Sequence, residues 1–143
     1  TNKMKKTLLL LIGLTIISCG SDDDDVTTDP LIGTWTKSYN FFGNGTETAV
    51  SVEETIIFNS NGTLIYTDVS DDEEDYRLNG VWQNNGTDFN LLNQSYSFSF
   101  DDDTDGEVQE SQLRFESDFN SFIFVDTVVD DPDTDDDGVW RRQ

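Results

Sequence analysis

The stretch Leu31-Ile32-Gly33-Thr34-Trp35-Thr36-Lys37 decides how the rest of the chain is read, because its Gly-x-Trp core returns at Gly80-Val81-Trp82 and again at Gly138-Val139-Trp140. All three tryptophans of the 143 residues sit in these copies. Each lies in a run of alternating or β-branched residues, the pattern of a strand that buries a large ring while glycine admits a neighbouring backbone or ring. The chain is therefore expected to be β-sheet with tryptophan anchors near its beginning, middle and end.

Outward from this stretch, helical periodicity is absent and strand punctuation is frequent. Strands are expected at 33–40, 48–58, 63–69, 76–83, 88–92, 95–100, 107–116, 121–129 and 139–142, which makes eight or nine. Asn61-Gly62 and Asn85-Gly86 are expected to supply the positive φ of tight hairpins, and Gly43-Asn44-Gly45 marks a looser turn. The clearest alternation is Tyr96, Phe98 and Phe100 against Ser95, Ser97 and Ser99, one face aromatic and the other hydroxylated. No segment of helical length could cover a sheet face. An antiparallel up-and-down meander closing into a barrel of about eight strands is the simplest fold, with two packed sheets as the other solution.

Composition narrows the function classes. There are 30 acidic and 8 basic residues, a net charge of −22, and no histidine. Lys3, Lys5 and Lys6 precede an apolar run, so removing that segment leaves five bases against 30 acids. Such a surface repels nucleic-acid backbones and anionic headgroups and favours cations or basic partners. Absence of histidine excludes His-based general base catalysis, Ser-His-Asp and Cys-His arrangements, and the usual zinc sites. Carboxylate pairs can be drawn at will from 30 acids and identify no glycosidase. The expected protein is not an enzyme. A single cysteine, Cys19, excludes an internal disulfide.

The N-terminal part reads as an address. Basic residues at 3–6, an apolar run from Leu8 to Ile17 and the exit Ser18-Cys19-Gly20 make a secretory signal too short to span a membrane comfortably. The run Asp22-Asp23-Asp24-Asp25, followed by Val26-Thr27-Thr28-Asp29-Pro30, has like charges without apolar partners and reads as an extended tether. The resulting division is a signal peptide at 1–18, a modified Cys19 with an acidic tether at 19–30, and a β domain at 31–143.

Two resemblances sharpen this. Ile16-Ile17-Ser18-Cys19 resembles the lipobox of bacterial lipoproteins, with Ile16 in place of the more common leucine. That resemblance implies a diacylglycerol on Cys19, an acyl chain such as palmitate on its amine, and attachment to a membrane through these lipids. Acidic residues just behind such a cysteine resemble the export signal of Bacteroidetes lipoproteins, which implies the outer face of the outer membrane.

The body, from Leu31-Ile32-Gly33-Thr34-Trp35 through Thr55-Ile56-Ile57-Phe58-Asn59-Ser60-Asn61-Gly62-Thr63 and Gly80-Val81-Trp82 to Trp140-Arg141-Arg142, resembles the lipocalin-like domain of Bacteroidetes lipoproteins. The Thr-Asp-Tyr motif of true lipocalins is missing, since Tyr66-Thr67-Asp68 has another order. The resemblance implies that Trp35 plugs the closed end of the barrel, with Arg141 or Arg142 laid over it.

Asp101, Asp103 and Asp105 before Gly106 have the spacing of a calcium loop, and Asp133, Asp135 and Asp137 before Gly138 repeat it. Neither has the rest of an EF-hand: Gln112 stands where the first would need its bidentate Glu, and no helix flanks either loop. Weak calcium binding and simple acidic hairpin loops are both open. The functional expectation is a monomeric, surface-exposed lipoprotein. It either binds a small hydrophobic or amphipathic molecule, with Tyr96, Phe98 and Phe100 as candidate lining, or meets cations or a basic partner through its acidic loops. A cavity beneath Phe98 and Phe100 separates the first from the second.

Overall fold

The alternation that begins at Gly33 is realised as a nine-residue strand, β1 (Gly33–Phe41). Seven more follow: β2 (Val50–Phe58), β3 (Thr63–Ser70), β4 (Tyr76–Asn84), β5 (Asn93–Phe100), β6 (Gln109–Phe115), β7 (Ser121–Phe124) and β8 (Val139–Arg142). This is a computed structural model that describes residues 28–42, 49–71, 74–102, 106–125 and 136–143. Every strand pairs antiparallel with its chain neighbours, and β8 returns to β1 through Trp35↔Arg142 and Thr36↔Arg141, closing an eight-stranded up-and-down barrel.

Period-two alternation puts one side of each strand into the barrel. Trp35 and Ile56 face one another across β1 and β2, Phe58 and Leu64 across β2 and β3, and Trp82 and Phe98 across β4 and β5. Trp35, Phe58, Leu64, Tyr96, Leu113, Phe115 and Phe122 are buried; Trp35 meets Phe122 edge to face and Phe115 tilted, while Tyr96 stacks on Phe98 and Phe122 on Trp140. Ser95, Ser97 and Ser99 lie on the opposite face of β5, as the alternation requires. Burying each large apolar side chain contributes roughly 1.5–3 kcal/mol, which is what holds a small barrel closed.

Two glycines act by absence of a side chain. A Cβ on Gly80 would collide with the Ser99 carbonyl and stand 3.3 Å from the Phe100 ring. Gly33, at φ +140°, leaves room for the Arg142 guanidinium, whose Nη1 would lie 2.8 Å from a Cβ there.

The structure corrects three expectations. Residues 88–92 form no strand: the Asp88 carboxylate accepts the Asn90 amide at 3.0 Å, a turn that takes this backbone out of any ladder, and Leu91 and Leu92 are exposed. The count is eight. Asn85-Gly86 is not a tight hairpin but the start of this long connection, and Gly86 does not take a positive φ, whereas Gly62 does at +82°. Finally, the folded body begins before Leu31, because Asp29 and Pro30 are buried. Asp29 takes the Leu31 amide at 2.9 Å and the Tyr96 hydroxyl at 2.8 Å, so it belongs to the barrel and not to the tether. The expected signal peptide, Cys19 and the run 22–25 lie outside the described residues. Among the described residues the core runs from Leu31 to Trp140.

Candidate functional site

The meander gives the barrel two unlike ends. Connections 59–62, 85–92 and 116–120, together with the entering residues 29–32, lie at one end. Connections 42–49, 71–75, 101–108 and 125–138 lie at the other.

The first end is sealed. Trp35 is fully buried and donates its indole N–H to the Leu31 carbonyl at 2.7 Å, which ties the entering chain to the plug. Of the two terminal arginines, Arg142 lies over the Trp35 ring at 4.4 Å and donates to the carbonyls of Ile32, Pro30 and Phe119. Such a cation over an indole, partly desolvated, contributes about 1–2 kcal/mol. Arg141 points out of the barrel and pairs with Asp137 at 2.6 Å. Beside the plug, the Asp29 carboxylate also accepts from the Asn84 amide at 2.9 Å, and Gln94 bridges Asn84 and Tyr96. Burial first, and then the Asp29 carboxylate, push the Tyr96 hydroxyl far above its ordinary value near 10, so Tyr96 is a neutral donor.

The other half is hollow. A cavity of about 210 Å³ lies between β2, β3, β5, β6 and β7, walled by Ile56, Phe58, Leu64, Phe98, Phe100 and Phe124. Gln109 and Ser111 on β6 supply its two polar groups. Phe100, Gln109 and Phe124 are the last or first residues of their strands at the open end, so the cavity reaches the mouth there. An eight-stranded barrel has room for filling side chains or one small ligand, and here part of that room is left free.

On β1, β2 and β3, two residues along from the cavity walls Ile56 and Leu64, stands a charged cluster. Lys37 follows Trp35 at period two and therefore faces inward. Its ammonium pairs with Glu54 at 2.6 Å and Asp136 at 2.8 Å, and it lies 5.2 Å from the rings of both Tyr39 and Trp140. The other Glu54 oxygen accepts the Tyr66 hydroxyl at 2.7 Å. Burial disfavours the lysine charge, but the hydrogen bonds and charges of Asp136 and Glu54 outweigh it and raise Lys37 above the usual lysine value. Burial, then Glu54, raises Tyr66 and Tyr39 as well. Asp136 stands three residues before β8, whose ladder with β1 is two pairs long, so this ion pair bridges the wall beyond the end of that ladder.

Of the expected lining residues, Phe98 and Phe100 wall the cavity and Tyr96 does not. Tyr96 is fully buried deeper in the barrel, held by Asp29. Asp101 accepts the amide and side-chain N–H of Asn79, each at 3.2 Å, and Asp137 is engaged by Arg141. Asp103, Asp105, Asp133 and Asp135 lie outside the described residues. Among the described residues no group of three or more His, Cys, Asp or Glu is placed to hold a metal ion.

The sequence reading missed Asp29, Lys37, Glu54 and Tyr66. Lys37 carried a signal, since alternation from Trp35 puts it on the buried face. Asp29 carried none, because it follows an acidic run and differs from it only in what it touches after folding. No known protein-family model, curated protein or solved structure matches the chain, so the barrel is assigned from its own strand ladders.

Proposed function

We propose that this chain is a lipid-anchored bacterial surface lipoprotein whose barrel binds one small apolar or amphipathic molecule. The observation that carries the binding function is the cavity beneath Phe98 and Phe100, with its aromatic walls and two polar groups at one side. Such a lining is typical of small-molecule sites, where apolar surface supplies affinity and a few polar atoms fix orientation. Its volume of about 210 Å³ exceeds the 150 Å³ of an engineered cavity that takes benzene, so it suits a substituted ring or a short alkyl chain rather than a whole lipid.

Anchoring at Cys19, at the outer face of the outer membrane, rests on the resemblance of 16–19 to a lipobox and on the acidic run that follows. The entry point of the chain agrees with it. Residues 29–32 are tied to the sealed end by Asp29, Trp35 and Arg142, so a tether attached there leaves from the end opposite the mouth. A barrel held in this way presents its cavity to the medium.

The test is native mass spectrometry of the chain from Gly20 onward after incubation with a lipid and metabolite extract of its host. A stoichiometric adduct of defined mass, lost when Ser111→Phe fills the cavity, is the expected result. A folded but bare protein would move the function to the acidic loops and a basic or cationic partner.

A further inference from the structure

We infer that the ligand of this cavity is a small cation, an aromatic ring or short alkyl chain bearing an ammonium, and not a fatty acid or another anion. The inference rests on the cavity reading above and adds the charge of the occupant.

The first observation is that the barrel offers an anion no free base. The described body has five: Lys37, Arg77, Arg114, Arg141 and Arg142. Arg142 is held at the sealed end over Trp35, and Arg141 points outward to Asp137. Arg77 and Arg114 are exposed on the outward faces of β4 and β6, since Leu78 and Leu113 beside them face in. Lys37 alone lies inside the open half, and two carboxylates already hold it. An anionic head at the cavity would lose its hydration without gaining a cation, which disfavours it strongly in a partly buried site.

The second observation is the charge of the mouth. Among the described residues eight carboxylates stand on connections at the open end, with no lysine or arginine among them, against three at the sealed-end turns, Asp88, Glu116 and Asp118. The open-end set is Asp71, Glu74, Asp75, Asp101, Asp102, Glu107, Asp136 and Asp137. Asp101 directly follows Phe100, and Glu107 stands two residues before Gln109, so carboxylates flank two of the three strand ends that bring the cavity to the surface. Inside, Glu54 lies on the same face of β2 as the cavity wall Ile56, and Asp68 stands opposite Glu54 across the β2–β3 ladder.

The third is the apolar edge. Val108 and Val125, 60% and 49% exposed, adjoin Gln109 and Phe124 at the opening. Apolar groups within an acidic field fit a molecule with an apolar body and a positive head. Gln109 and Ser111 can each accept an ammonium N–H through a side-chain oxygen. An acidic cleft with low-dielectric walls raises the local concentration of such a cation about ten-fold or more.

The experiment titrates the chain from Gly20 onward with three probes of one shape: 2-phenylethylammonium, 2-phenylethanol and phenylacetate. Binding is read by calorimetry and by amide chemical shifts, at low and at high ionic strength. The expected order is ammonium over alcohol by about ten-fold or more and carboxylate weakest, with the gap narrowing in salt. Ser111→Phe should abolish all binding, and Asp101→Asn combined with Glu107→Gln should narrow the ammonium-to-alcohol gap while sparing the alcohol. If the alcohol binds and the ammonium binds no tighter, or the carboxylate binds best, the charge inference fails and the cavity reading stands. If none binds, the cavity reading itself fails. Ammonium binding that survives Ser111→Phe would place the cation on the acidic exterior and overturn the inference.

Discussion

The sealed and open ends of this barrel are built from the same strands, yet they are held by opposite means. At the sealed end, Trp35, Arg142, Leu31 and the Asp29 network fill the space, and each buried polar group has a partner. At the open end the interior holds an empty apolar volume and a compensated lysine. Where the chain enters, packing makes the fold; where the connections are long and acidic, it is left incomplete. Stability and function are thereby assigned to different ends, and substitutions at the two should separate.

The largest effect is expected at the plug. Trp35→Ala removes a fully buried indole, its hydrogen bond and the surface beneath Arg142, and should cost about 3–5 kcal/mol. Denaturant unfolding of the variant checks this; an unchanged midpoint would place Trp35 outside the core. Asp29→Ala is next. It leaves the Leu31 amide without its carboxylate and the Tyr96 hydroxyl and Asn84 side chain with Gln94 alone, and should cost about 2–3 kcal/mol in the same measurement. A loss no larger than that of an exposed aspartate such as Asp71 would break the claim that the barrel begins before Leu31.

Smaller effects are expected in the open half. Lys37→Met leaves Glu54 and Asp136 facing each other without their cation and should cost about 1–3 kcal/mol. Adding Glu54→Gln to Lys37→Met should return part of that loss, because it removes an uncompensated charge. Ser111→Phe should change stability by about 1 kcal/mol or less if it fills free space, and by more, as overpacking, if the cavity is closed.

The two halves also share one pH response. Lys37 has a raised pKa in the folded protein, so above the ordinary lysine value the unfolded chain loses this proton while the folded chain keeps it. Tyr66 and Tyr96 are raised from 10.0, so there too the unfolded chain ionises first. All three have the same sign: stability should be insensitive to these groups below about pH 10 and fall as pH rises beyond it. Tyr66→Phe and Tyr96→Phe should each flatten part of that fall, as followed by circular dichroism against pH.

How much of this could be read from residues follows the same division. Trp35 as an anchor, the inward face of Phe98 and Phe100 and the closed meander were legible because alternation and Gly-x-Trp spacing are local properties. The 88–92 run misled because Phe89, Leu91 and Leu92 look like strand residues, whereas the turn formed by Asp88 decides the backbone. Tyr96 shares its face with Phe98 and Phe100, but its depth along the barrel depends on strand register and on Asp29, 67 residues away. The cavity is a difference between the volume enclosed by five strands and the volume of their side chains, and no single stretch encodes it.

The hollow open half is tested most directly by a crystal structure of the chain from Gly20 onward under xenon pressure. One xenon atom is expected between Phe58, Phe98 and Phe124, with none at the Trp35 end. An interior without xenon, or with the Phe100 and Phe124 rings turned inward to fill the space, would contradict the binding site.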